Sequence, residues 1–246
     1  MIAHHASTFG LSHRTGLHEC LSPLAQISQT PATLDFPRYR LPTNFHAVGP
    51  LRRTKGDTET TRDAWPTDPG RPFVFASLGT LQGHRYGLFK TIARACRRLD
   101  VQLAIAHCGG LPPARAEALK AHGATFVTDF ADQHATLRQA QAVITHGGLN
   151  TVVDAIATST PMLVMPIAFD QPGVAARLVW HGLGQRVSRR SGSARLARAL
   201  ETLLADDACR QRLADAAILL RQAGGAERAA DIVELALGPA PMKVAS

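Results

Sequence analysis

The run AVITHGGLNTVVDAIATSTPMLVMPIAFDQPGVA, residues 142–175, decides how this chain folds. Its first four residues are apolar or β-branched and of strand length. His146, Gly147 and Gly148 follow as a turn in which backbone can approach a ligand closely. Asn150 and Thr151 are good helix N-caps, and Val152, Val153 and Ile156 recur behind them at helical spacing. Pro161 closes that helix, residues 162–165 form a second apolar strand, and Pro166 stops it. A helix opening on Gly, Asn and Thr presents free N–H groups and a positive dipole end, which suits an anion such as phosphate. One glycine turn alone is weak ground, because many βα units carry one and bind nothing. A second polar pair, Asp170 and Gln171, follows the next strand. In a parallel sheet both clusters fall at the carboxyl edge, where open α/β sheets bind ligands.

Outward from this run, strands and helices alternate. Residues 73–77, 101–106 and 125–127 read as apolar strands, and 185–187 as a last short one. Leu88, Ile92, Cys96 and Leu99 mark a helix between the first two. Further helices are expected at 114–121, 174–180, 194–204, 207–222 and 226–237. Repeated β–α alternation predicts an α/β fold with a doubly wound parallel sheet. Before it, residues 1–20 read as a polar, weakly helical leader, with short strands at 21–28 and 45–48. Residues 52–72 are charged, rich in threonine and proline, and have the composition of a linker.

Composition narrows the function. The chain has 246 residues, 45% of them hydrophobic, which is enough for a sizeable core. No window reaches the ~18 apolar residues of a transmembrane span, and residues 1–20 lack the apolar run of a secretory signal. The four cysteines are scattered without paired spacing, as in a reducing compartment. A cytoplasmic protein is therefore expected. The net charge is +8, yet the positive residues are dispersed, and pairs such as Arg97-Arg98 and Arg189-Arg190 read as solvated faces. No zinc-finger spacing, RNP-like motif or basic heptad region points to nucleic acid. The histidines His4, His5, His13 and His18 stand in no C-x-x-C or H-E-x-x-H arrangement, so no metal site is expected. Ser77-Leu78-Gly79-Thr80 is neither a Walker loop nor the Gly-x-Gly-x-x-Gly fingerprint, which disfavours a dinucleotide dehydrogenase.

Phe130 with Gln133, then His146, Gly148, Asn150, Thr151 and Asp154, then Asp170 with Gln171 form a long gapped pattern. It resembles the donor-binding signature of the UDP-dependent glycosyltransferases of the GT-B fold (family 1). The flanking text LSPLAQISQTPATLDFP, FHAVGPL and SLGTLQGHRYGLFK resembles the bacterial members that glucosylate carotenoids. The likeness covers almost the whole chain but only about the C-terminal half of a family member. It implies a short remnant of the N-terminal acceptor domain at 1–51, an interdomain linker at 52–72, and a Rossmann-like donor-binding domain at 73–246.

The resemblance also implies roles. His146 would contact the diphosphate of a UDP-sugar, with Gly79, Thr80, Gly148, Asn150 and Thr151 around it. Phe130, where the family usually has tryptophan, would stack on uracil, and Gln133 would bond the base or ribose. Asp154 takes the position of a ribose-binding glutamate and is one methylene shorter. Asp170 and Gln171 would hold hydroxyls of the transferred sugar, while Val174 replaces an asparagine common in animal and plant members. No Asp-x-Asp triplet is present, so an inverting, metal-independent transfer of glucose to a carotenoid hydroxyl, as in zeaxanthin, is implied, with the UDP-sugar as co-substrate and no other cofactor. Such a lipophilic acceptor implies peripheral contact with the inner face of the membrane. The family's catalytic base lies in the acceptor domain, so no catalytic residue is assigned and turnover by this chain alone is not expected. Two other arrangements stay open: the donor-binding subunit of a two-chain enzyme, and a UDP-sugar-binding protein without turnover.

Overall fold

The computed structural model describes residues 2–51 and 65–238, which fall into two compact units. The smaller takes the described parts of 1–31, 37–53 and 223–246; the larger takes 32–36 and those of 54–222.

In the smaller unit a short helix α1 (Ile2–Thr8) precedes a single 3-10 turn at Leu17–Cys20. Strands β1 (Gln26–Ser28) and β2 (Phe45–Ala47) then pair in parallel. The first is shorter than the sequence suggested, since Pro23 has no N–H to give a ladder. The terminal helix α9 (Gly225–Leu237) groups here too, with Gly225 N–H donating to Val48 O at 2.8 Å. By its contacts this helix falls in the smaller unit rather than with the sheet.

The larger unit is built on six parallel strands. In chain order they are β3 (Phe73–Ser77), β4 (Gln102–Ala106), β5 (Phe126–Thr128), β6 (Ala142–Thr145), β7 (Met162–Val164) and β8 (Gly184–Arg186). Their order across the sheet is β5-β4-β3-β6-β7-β8. The first three therefore grow one way from β3 and the last three grow the other way from β6. The helices are α2 (Tyr86–Arg98), α3 (Pro113–His122), α4 (Gln133–Gln139), α5 (Leu149–Ala157), α6 (Gln171–Trp180), α7 (Ser193–Leu204) and α8 (Asp207–Gln222). Helix α2 packs with α3 and α7, and α5 packs with α4 and α8. Right-handed crossovers put these groups on opposite faces, so the sheet is doubly wound.

Burial explains the order of the elements. Every residue of β3, β4, β6 and β7 is buried, as expected of strands covered on both faces. Phe89, Ile92 and Cys96 turn the inner stripe of α2 onto the sheet, and Val152, Val153 and Ile156 do the same for α5. Each large aliphatic side chain sealed this way contributes about 1.5–3 kcal/mol.

Two segments differ from expectation. Of the anticipated linker, residues 52–64 lie outside the described residues, but 65–72 are fastened to the sheet. Trp65 donates its indole N–H to Thr136 Oγ1 at 3.0 Å, its ring lies 5.2 Å from that of Phe126, and Asp68 N–H donates to Gln102 Oε1 at 2.8 Å. Residues 32–36, expected in the N-terminal remnant, join the larger unit: Leu34 is buried in its core and Asp35 pairs with Arg177 of α6 at 2.8 Å.

Candidate donor-binding site

The sheet reverses its direction of growth between β3 and β6, and their pairing sets Ser77 opposite Thr145. The loops leaving these two residues start side by side at the carboxyl edge, in the crevice where such sheets take ligands. Gly79 (φ +71°) and Gly147 (φ +87°) make the turns, in backbone conformations that side chains with a Cβ rarely adopt.

His146 stands between these loops. A Cβ on Gly79 would fall 2.7 Å from its Cε1, and one on Gly148 2.7 Å from its Nε2. Both glycines thus border the Cε1–Nε2 edge of the ring and leave it uncovered. The other nitrogen is held from the strand. Gly147 N–H donates to Thr145 Oγ1 at 3.4 Å, and that oxygen lies 3.3 Å from Nδ1. The Thr145 hydroxyl thus partners Nδ1 and leaves Nε2 as the ring nitrogen at the glycine-flanked edge. Burial holds the His146 pKa below its ordinary value, and the Asp170 carboxylate only partly opposes this. Burial therefore favours the neutral ring, which presents its Nε2 between two glycines.

Helix α5 begins here, but not where composition indicated. Gly148 is its N-cap, with Val152 N–H donating to Gly148 O at 3.1 Å. Asn150 and Thr151 are consequently the second and third helical residues. Their backbone N–H groups belong to the first turn, and the Thr151 side chain is free for another task. Thr151 Oγ1 donates to Gln133 Oε1 at 3.1 Å, and Gln133 Nε2 donates to Asp154 Oδ2 at 2.6 Å. Asp154 is nearly buried. The expected ribose contacts of Gln133 and Asp154 are thus drawn partly into a bond with each other. Gln133 opens α4, a helix absent from the sequence reading, which Asp132 caps by accepting from Ala135 N–H at 3.0 Å.

Phe130 is 69% exposed, which rules out a core role. Its Cζ is the nearest atom to a Cβ built on Gly109, at 4.0 Å, so the ring stands over the glycine turn that follows β4. Thr80 is exposed beside Gly79. At the start of α6, Gln171 Oε1 accepts from Ile167 N–H at 2.9 Å and Ala168 N–H at 2.8 Å, which pins the loop after β7. Its Nε2 has no hydrogen-bond partner among the described residues, although the residue is almost wholly buried. Asp170, next to it, is exposed.

The structure therefore joins Gly79, His146 and Gly148 in contact, with Asp170 close enough to act on the ring. Gln133, Thr151 and Asp154 form a second group, and Phe130 stands at the end of the adjoining strand. The sequence reading missed Thr145, which orients His146, and Gly109, which underlies Phe130. Thr145 precedes the histidine in the strand, and its hydroxyl was the available signal. Among the described residues no three His, Cys, Asp or Glu side chains are grouped to hold a metal ion, and no helix is long and apolar enough to cross a membrane.

A parallel sheet that reverses its growth at a glycine-flanked histidine, with an aromatic and an Asp-Gln pair nearby, is an open α/β sheet with its candidate site at the carboxyl edge. Residues 16–217 match the family of UDP-glucoronosyl and UDP-glucosyl transferases, and the chain belongs to that family. It is 55% identical over 234 residues to a zeaxanthin glucosyltransferase of Pantoea ananas, covering 95% of this chain and 54% of that one. It is 53% identical over 236 residues to a zeaxanthin glucosyltransferase of Pseudescherichia vulneris, covering 96% and 56%. The chain thus spans about half the length of these curated relatives. Among solved structures, the calicheamicin glycosyltransferase CalG4 superposes with a TM-score of 0.79 at 26% identity, over 99% of this chain and 59% of that one. The glycotransferase of kitacinnamycin follows with 0.73 at 26% identity, over 88% and 55%. The fold is that of the GT-B glycosyltransferases.

Proposed function

We propose that this chain binds a UDP-sugar and supplies the donor side of an inverting transfer of glucose to a hydroxyl of a carotenoid such as zeaxanthin. The observation that carries the reading is the Nε2 edge of His146, with Nδ1 held by Thr145 and the edge left open between Gly79 and Gly148 at the switch point of the sheet. Cleavage of the glycosyl–phosphate bond leaves negative charge on the departing UDP, and preorganised donors there lower the barrier. The His146 Nε2–H, the first N–H groups of α5 and the Thr80 hydroxyl would meet that charge. Phe130 would stack on uracil. Asp170 and the Gln171 Nε2 would hold sugar hydroxyls. The resemblance puts the family's base in the N-terminal acceptor domain, so we assign this chain the donor half of the chemistry. The acceptor is taken from the two zeaxanthin relatives, and a lipophilic diol of that kind places the reaction at a membrane surface.

Calorimetric titration of the folded chain with UDP tests the donor reading. Saturable binding is expected, and His146→Ala should weaken it about tenfold or more, since a hydrogen bond to a charged group contributes about 1.5–3 kcal/mol. A folded chain with no saturable UDP binding refutes the assignment.

A further inference from the structure

On the α2 face of the larger unit, Arg94, Arg97, Arg98 and Ser193 line an open cavity of about 350 Å³. Ile92, Ala93, Ala95 and Cys96 are buried, so the helical repeat gathers Arg94, Arg97 and Arg98 (i, i+3, i+4) into one outward stripe. Three guanidiniums this close repel one another, and an acidic partner would normally be expected among them. None is there. Arg94 and Arg98 make no ion pair or side-chain hydrogen bond among the described residues. Arg97 Nη1 donates only to Ala121 O at 3.1 Å. Asp100, the acid nearest in sequence, is taken by Arg71 at 2.7 Å. The carboxyl end of α2 favours cations at Arg97 and Arg98 but does not reach the turn below at Arg94. Ser193 adds a hydroxyl without a side-chain partner among the described residues. Positive potential here also reaches α3: His122 is held below its ordinary pKa by desolvation and then by Arg94, Lys90 and Arg97.

The cavity is far from the donor loops. Helix α2 carries the chain from the carboxyl edge of β3 back to the amino edge of β4, so its last turn stands at the edge opposite His146. Its volume lies in the range of about 300–1,000 Å³ usual for small-molecule sites. Arginine forks match phosphate oxygens in charge and geometry.

We propose that this cavity is a second anion site, which takes a phosphate-bearing ligand on Arg94, Arg97, Arg98 and the Ser193 hydroxyl. The ligand is either a soluble phosphate compound or the headgroup of an anionic lipid, and two probes separate these sources. The first is pyrophosphate, titrated into the chain with saturating UDP present to fill the donor loops. The second is sedimentation with phosphatidylglycerol vesicles at low and high salt. Arg94→Gln combined with Arg98→Gln removes two exposed charges and should leave the melting temperature unchanged. Arg221→Gln with Arg228→Gln removes the same net charge from residues that do not line the cavity and controls for it. The first pair should weaken the probe that binds about tenfold or more, and the control pair should do so far less. Loss of saturable pyrophosphate binding identifies a soluble phosphate compound; loss of salt-sensitive vesicle binding alone identifies a headgroup. The proposal is overturned if neither probe binds the unaltered chain, or if both double variants bind alike.

Discussion

Gly148→Ala isolates the contact on which the donor-site reading turns. The backbone at Gly148 (φ −63°, ψ 134°) suits alanine, so the substitution brings no dihedral strain. The new methyl would lie 2.7 Å from His146 Nε2 and 2.8 Å from Cε1, almost 1 Å inside the ~3.5 Å of ordinary contact. The ring cannot shift freely, because Gly79 borders the same edge and Thr145 holds Nδ1. Overpacking of this kind costs about 1–3 kcal/mol. Loss of chain entropy in the unfolded state returns about 0.4–1 kcal/mol. A net destabilisation of about 1–2 kcal/mol is expected, and the covered Nε2 should lower UDP affinity about tenfold. In a His146→Ala background the methyl meets no ring. There only the unfolded-state entropy remains, and Gly148→Ala should stabilise by about 0.4–1 kcal/mol. Urea unfolding of the four proteins gives the coupling directly. Additive effects in stability, or an undiminished affinity in Gly148→Ala, would refute the picture of a histidine edge kept open by its glycine neighbours.

The depressed pKa of His146 predicts proton uptake on donor binding. The diphosphate adds negative charge beside the ring and raises its pKa, so the complex binds more protons, and affinity rises as pH falls through the bound-state value. UDP-glucose is the ligand to use, because its diphosphate is esterified at both ends and does not titrate near neutrality; calorimetry in buffers of different ionisation heat should show uptake that His146→Gln abolishes. In the unliganded protein the same depression contributes stability above the unfolded value of about 6.5, and this is lost as pH falls below it. Phe130→Ala should weaken UDP by about 1–3 kcal/mol, or roughly 5- to 150-fold, if the ring stacks on the base. Its 69% exposure means that the melting temperature should stay put, and a stability loss with unchanged affinity would return Phe130 to a packing role.

The parts of this fold legible in the sequence are those with strong local signals. β3 ends where its reading ended, because an unbroken run of buried residues, Phe73 to Leu78, lies between Pro72 and the Gly79 turn. Helix α8 carries enough turns for its apolar spacing to fix both ends. Helix α4 went unread because its seven residues, QHATLRQ, show too short an apolar stripe to register as periodic. The start of α5 was misplaced for a different reason: Asn150 and Thr151 have the better capping side chains, yet the carbonyl accepting the first helical bond belongs to Gly148. Grouping of 32–36 with the sheet rests on Leu34 and on an ion pair between Asp35 and Arg177, and no pattern along the chain reports a contact of that span.

The same limit explains the site. Position-by-position likeness assigned Gln133, Thr151 and Asp154 separate tasks, but hydrogen bonds between residues some twenty apart are invisible to it. In the fold these three form one chain, hydroxyl to amide to carboxylate. The consequence is mechanical. Gln133 opens α4, three residues after Phe130, whereas Thr151 and Asp154 stand on the helix that starts at Gly148. The chain therefore ties the loop proposed for the base to the helix proposed for the diphosphate. It also fixes which end of the Gln133 amide faces which partner, since only its NH₂ can meet the carboxylate. Two subsites so fastened are set in register before a donor arrives, and the ordering cost that binding would otherwise carry is already met in folding. The aspartate that looked too short for its family role is the right length for this one, because Oδ2 reaches Gln133 at 2.6 Å.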